Sequence, residues 1–142
     1  MNPKKQRRKC RNCGKECSRP QYFYCNTKCQ MEYEQKNYIK KWLNREVDGN
    51  KKNEMISDYV RNYLIERSNN QCELCGWHEI NPFTRKVPLT VHHKDGNPEN
   101  SYVENLIYIC PNCHALTESY GNKNKGKGRN KLRKVIRQRY NG

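Results

Sequence analysis

Hydrophobic residues recur along this chain with two periods, and the change from one to the other divides it. Met31, Tyr38, Ile39, Trp42 and Leu43 share one face of a helical wheel while Lys36, Lys40, Lys41 and Arg45 lie elsewhere, which predicts a helix continuing from Cys29. Val47-Asp48-Gly49-Asn50-Lys51-Lys52-Asn53 interrupts the pattern, with Gly49 as the stop signal. Ile56, Tyr59, Val60, Tyr63 and Leu64 then follow at i, i+3, i+4, i+7 and i+8, a second helix that Ser68-Asn69-Asn70 ends. Its expected work is to pack on the segment that follows, with DNA contact through Arg61 and Arg67 as the lesser reading. From there the period falls to two. Leu89 and Val91 alternate with Thr90 before His92 and His93, which predicts a strand over residues 88–93 and a returning strand over 106–109. The intervening Lys94-Asp95-Gly96-Asn97-Pro98-Glu99-Asn100 is rich in turn formers. Pro111 suits the first turn of a helix, expected over residues 112 to about 120.

These elements describe a small α+β fold, a two-stranded hairpin with one helix across it, which is too small to be stable alone. Composition sharpens the problem. Only 33% of the residues are hydrophobic and 30% are charged, so buried apolar area would barely offset chain entropy. Small modules with that deficit rely on metals or disulfides, and nine cysteines supply the means. Residues 1–9 are polar and basic, without an apolar signal segment, and no run approaches the ~20 apolar residues of a membrane span. The expectation is a cytoplasmic, reducing compartment and no membrane partner, where Cys-x-x-Cys units read as zinc knuckles rather than disulfides.

The cysteines fall into two sets of four. Cys72-x-x-Cys75 and Cys110-x-x-Cys113 have the spacing of a closed tetrahedral zinc site. Cys10, Cys13, Cys25 and Cys29 form the other set, with Gly14 permitting the turn after the first knuckle and residues 22–24 read as a short strand. Cys17 is the odd thiol, an alternative ligand in place of Cys13 or simply a free cysteine. Trp77 is expected to cap the small core beside the zinc, and His78 to be a plain exposed histidine.

Charge bears on the partner. A formal net charge of +15 favours a polyanion, with binding that weakens steeply as salt rises. After Glu118 no acidic residue occurs, and Lys123, Lys125, Lys127, Arg129, Arg133, Lys134 and Arg137 punctuate a Gly/Lys-rich strip and a short helical pattern. These read as contacts to a DNA backbone, which position and add affinity without reading sequence. The expected organisation is therefore a basic arm, finger and helix over residues 1–46, a linker over 47–53, a second four-cysteine module with its leading helix over 54–120, and a basic tail over 121–142.

Three of the four histidines, His92, His93 and His114, are not needed by a zinc that already has four sulfurs. A His-His pair at a strand end, Asn105 twelve residues later, and a His after the last Cys of Cys110-Pro111-Asn112-Cys113-His114 resemble the HNH endonuclease family with its ββα-metal fold. The resemblance covers roughly residues 72–120, and the first cysteine set looks like the small treble-clef fingers found ahead of such modules, as in free-standing bacteriophage HNH endonucleases. It implies a metal-dependent nuclease that hydrolyses double-stranded DNA to 5′-phosphate and 3′-hydroxyl ends, nicking one strand because one motif is present. By the same resemblance His93 is the general base, His92 and His114 hold the catalytic divalent ion, and Asn105 bonds loop backbone to aim His93. The zinc would hold His114 opposite His92 and His93, so that three imidazoles converge. Many family members carry Asp at the position of His92. Two neutral imidazoles make a softer site, one in which magnesium works but manganese, or another transition metal, works at least as well. Two structural zinc ions, one catalytic divalent ion and no small-molecule cofactor complete the expected set, with mobile-element homing or phage DNA processing as the biological role. Asp95 is near enough to be a ligand, but turn formation with Gly96 is the preferred reading. A non-catalytic zinc-finger nucleic-acid-binding protein, or an RNA-directed basic protein, would explain the charge and cysteines but not the histidines.

Overall fold

The computed structural model describes residues 2–52, 55–118 and 120. The cationic tail read at Lys123 to Arg137 lies outside them. Element order is α1 (Thr27–Leu43), α2 (Asp58–Arg67), β1 (Thr90–His93), a single 3₁₀ turn (Val103–Asn105), β2 (Leu106–Ile109) and α3 (Pro111–Ala115). Asn26 starts α1 by accepting the Cys29 N–H on its side-chain oxygen at 2.8 Å, which satisfies one of the unpaired donors of the first turn. Helix α1 stops at Leu43 rather than at Gly49, because Arg45 takes a left-handed conformation (φ 60°). Residues 22–24 form no strand, and Phe23 and Tyr24 are bends. What pairs instead is Lys9 with Glu16 across the first knuckle, and the Arg11 N–H bonds the Phe23 carbonyl at 3.0 Å.

The main core is built from both helices and the hairpin: Trp42, Ile56, Val60, Leu64, Leu106 and Tyr108, with Tyr38, Ile39, Tyr63 and Val91 packed against it. Trp42 meets Tyr63 edge-on at 5.3 Å and Tyr38 meets Tyr59 at 5.2 Å, so the apolar stripes of α1 and α2 face each other. Met31 and Leu43, assigned by periodicity to the same stripe, are exposed instead. Ile56 precedes α2 and pairs with Asn50 in an isolated bridge. A second, smaller cluster of Cys72, Ile109 and Cys110 is covered by Trp77, Ile107 and Leu89.

Within residues 47–52, Val47 packs against the first core and Gly49 is buried. Gly49 (φ +82°) lies so close to Trp42 and Ser101 that a Cβ there would be 2.6 Å from the indole nitrogen and 2.9 Å from the Ser101 carbonyl oxygen. Both the left-handed backbone and the crowding demand glycine. Gly49→Ala is expected to destabilise the zinc-loaded chain by about 2 kcal/mol or more, combining left-handed strain with a core clash. A denaturant titration followed by tryptophan fluorescence measures it.

In the hairpin, β1 and β2 are antiparallel with Thr90 opposite Ile109, Val91 opposite Tyr108, His92 opposite Ile107 and His93 opposite Leu106. Side chains alternate between faces. Val91, Leu106 and Tyr108 belong to the main core, so His93 shares their side, while His92 and Ile107 take the other. Helix α3 is five residues long. It ends well short of the expected 120, and Leu116, the residue after it, is 86% exposed.

Candidate active site

Each cysteine set gathers into one cluster. The sulfurs of Cys10, Cys13, Cys25 and Cys29 lie within 4.8 Å of one another, and so do those of Cys72, Cys75, Cys110 and Cys113. Cys13 rather than Cys17 completes the first set; Cys17 is buried outside it. Sulfurs at 3.6 Å (Cys13–Cys25), 3.4 Å (Cys25–Cys29) and 3.7 Å (Cys75–Cys110) are too far apart for a disulfide's ~2.05 Å. They are near the edge of about 3.8 Å expected when four thiolates surround a tetrahedral ion at ~2.3 Å. Each set could hold a metal ion. Burial raises Cys72, but N–H groups of Cys110, Cys75 and Leu74 outweigh it and bring the thiol to about 6. Cys113, sharing a proton with Cys75 and partly desolvated, is pushed up to about 12. Cys10 and Cys25 repeat the split, at about 6 and about 12. In each cluster one thiol is thus lowered and another raised, a contrast that a cation neutralising the crowded sulfurs would relieve.

The second cluster fixes the hairpin to its surroundings. Cys110 caps α3, with its sulfur accepting the Cys113 N–H at 3.4 Å, and Cys113 and His114 follow in the same short helix. Glu73, between the knuckle cysteines, accepts two hydrogen bonds from Arg67 (2.8 and 2.7 Å) and one from the Tyr108 N–H at 2.6 Å. Arg67 also donates to the Leu106 carbonyl at 3.0 Å. This arginine therefore locks α2 to the knuckle and to β2. Its engagement, invisible to the periodicity of α2, uses up the side chain offered as a DNA contact.

His92 on β1 and His114 on α3 meet edge to face, with ring centroids 5.5 Å apart, and Tyr120 stands against His114 at 5.4 Å. Burial and the neighbouring His114 both lower the pKa of His92, which keeps it neutral, the form a metal needs. His93 is not part of this pair. On the opposite face of the strand, its Nε2 lies 3.1 Å from the Ser101 hydroxyl oxygen. Burial lowers its pKa, Asp95 opposes that and His92 adds to it. Sequence reading placed all three rings together; the two-residue period of the strand separates adjacent histidines.

Asn105 is buried and bonds the loop between the strands on several sides. Its oxygen accepts the Asp95 N–H at 3.1 Å, and its amide donates to the Asn100 carbonyl at 2.7 Å and to the Asp95 carboxylate at 2.8 Å. Asp95 also accepts from the Asn97 N–H and the Asn100 side chain. Burial raises its pKa, but these hydrogen bonds and His93 prevail and lower it. Its carboxylate thus holds the turn. Trp77 covers the small core, and His78 is exposed with Nδ1 near the Gly76 carbonyl. Ser101, wholly buried, was missed from sequence, where it is one polar residue among several in a loop.

Among known proteins, the chain is 43% identical over 75 residues to the H-N-H endonuclease F-TflIV of Escherichia phage T5, a match covering 51% of this chain and 32% of that protein. It is 36% identical over 64 residues to the Zorya protein ZorE of Escherichia coli, covering 41% of this chain and 17% of that protein. The chain thus matches about a third or less of the length of either relative. No family model matches it, and no solved structure matches it significantly. Among the described residues no helix is long and apolar enough to cross a membrane. Over about half its length the chain is thus similar to a named H-N-H endonuclease, and its two four-cysteine clusters fit the zinc-containing type of such enzymes.

Proposed function

We propose that the protein is a DNA endonuclease that hydrolyses one phosphodiester bond per encounter, with zinc in both cysteine clusters as scaffold. The observation that carries this reading is the His92–His114 pair, brought to a ring separation of 5.5 Å by a cysteine cluster that needs neither ring. Two neutral imidazoles, with no third protein ligand grouped with them among the described residues, suit a divalent ion that would also accept phosphate oxygens and water, and their softness favours manganese at least as much as magnesium. Such an ion supplies positive charge to the phosphate and to the leaving oxygen. His93 is the general base. A phosphodiester lying across the end of β1 would meet the pair on one side and His93 on the other.

In the proposed step a water proton passes to His93 while the water oxygen forms a bond to phosphorus. The P–O3′ bond breaks with its electron pair leaving on O3′, which takes a proton from solvent. Asn105 keeps the turn after His93 in shape and does not touch the reacting atoms. The cations at Lys123, Lys125, Lys127, Arg129, Arg133, Lys134 and Arg137 are proposed to hold the duplex by its phosphates, so salt should weaken binding steeply. Domain limits of 1–46, 54–120 and 121–142 accompany this reading.

Sequencing and enzymatic end-labelling of the products from a long natural DNA test it. The expected ends are 5′-phosphate and 3′-hydroxyl, on one strand per site, directly religatable. Products with 5′-hydroxyl ends would contradict the attack by water described above.

A further inference from the structure

The hydrogen bond from His93 leads away from the ββα unit into the N-terminal helix. Ser101 is wholly buried and makes contacts through both its side chain and its backbone. Its hydroxyl lies 3.1 Å from His93 Nε2 and 3.4 Å from the Pro98 carbonyl oxygen. Its own carbonyl accepts the indole N–H of Trp42 at 2.8 Å, and Gly49 presses on both partners of that bond. A hydroxyl carries one proton, and a carbonyl can only accept. Both contacts are satisfied together only when the serine proton goes to Pro98 and Nε2 carries the ring proton. That assignment follows from the hydrogen-bond network, and it leaves the lone pair on Nδ1.

We infer that Ser101, anchored by Trp42 of α1, is a positioning residue that fixes the tautomer of His93 so that Nδ1 is the nitrogen that takes the proton from water. The inference rests on the nuclease reading for the role of His93, but the orientation itself is a property of the chain without DNA. When Nδ1 gains the water proton, Nε2 keeps its own and continues to donate to Ser101, so the ring does not turn during the step. The finger's helix thereby reaches the base: α1 supplies the indole that holds the serine in place. A base presenting the wrong nitrogen is still present and still folded, yet poorly placed to act.

Long-range nitrogen–proton spectra of the zinc-loaded full chain, with ¹⁵N-labelled histidine and His93 assigned by its absence in His93→Gln, read the tautomer directly. The wild type should show a single Nε2–H form, and Ser101→Ala a mixture of both forms. Ser101→Ala should also lower kcat about 10- to 100-fold with KM within about two-fold, and Ser101→Thr, which restores a hydroxyl, should recover much of the loss. If Ser101→Ala fails to take up two zinc ions, Trp42→Phe serves in its place: it removes only the N–H to the Ser101 carbonyl and should partly mix the tautomers. An Nδ1–H form in the wild type, or a tautomer unmoved by Ser101→Ala and Trp42→Phe, would overturn the assignment. A chain that shows the Nε2–H form yet cuts no DNA would instead remove the nuclease reading and leave the orientation standing.

Discussion

His93→Ala is expected to abolish DNA cleavage while leaving DNA affinity within a few-fold of the wild type. Removal of a positioned general base costs about 10²- to 10⁴-fold in rate, which takes nicking below detection in an ordinary gel assay. Affinity should survive because the proposed phosphate contacts lie elsewhere, and phosphate contacts set binding strength. The fold should survive as well. His93 is the last residue of β1, opposite Leu106, and alanine keeps the backbone pairing while losing one hydrogen bond to Ser101. Parallel measurement of nicking rate and fluorescence anisotropy separates the two effects. Cleavage by His93→Ala at the wild-type rate would remove this residue from the chemistry.

Cys110→Ala should act through the fold instead. Cys110 is 2% exposed and sits between Ile109 of β2 and Pro111 of α3, so one sulfur joins strand, helix and knuckle. Zinc bound by a small four-ligand module contributes on the order of 10 kcal/mol to its folding, comparable to the entire stability of a small domain. Loss of one thiolate from a set in which the Cys75 and Cys110 sulfurs are 3.7 Å apart weakens that contribution enough to unfold the hairpin. The expected result is one zinc per chain instead of two, with loss of the cooperative melt seen by circular dichroism. Retention of two zinc ions and an unchanged melt would show that Cys110 is not a ligand.

How much of this could be read from sequence depends on how local the cause is. The cysteine sets were legible because ligand spacing is a local constraint and because four thiols can gather only in a few ways. The hairpin was legible from alternation, and its second strand, Leu106–Ile109, from a short apolar run between turn formers. Periodicity overreached at the ends of elements. It put Met31 and Leu43 in the core, and it extended α3 past Ala115, where Leu116 turns to solvent. Gly49 looked like a helix stop, but its smallness is needed for packing against Trp42 and Ser101, a contact no local rule announces. The Trp42–Ser101 bond joins residues 59 apart in the chain, and the Arg67–Glu73 lock gains its value from the Leu106 carbonyl across the fold. The two histidines of β1 were a different case. Alternation was available in the sequence and dictated that neighbours face opposite ways; family likeness drew them together on paper, and the register separates them.

The most direct measurement is relaxation of supercoiled plasmid by the intact, zinc-loaded protein with manganese, at low salt where DNA is bound. Accumulation of open circles, abolished by His93→Ala and by chelation of the added ion, is the expected result. Supercoiled plasmid left intact by protein that is bound to it and carries both zinc ions would contradict phosphodiester hydrolysis at this site.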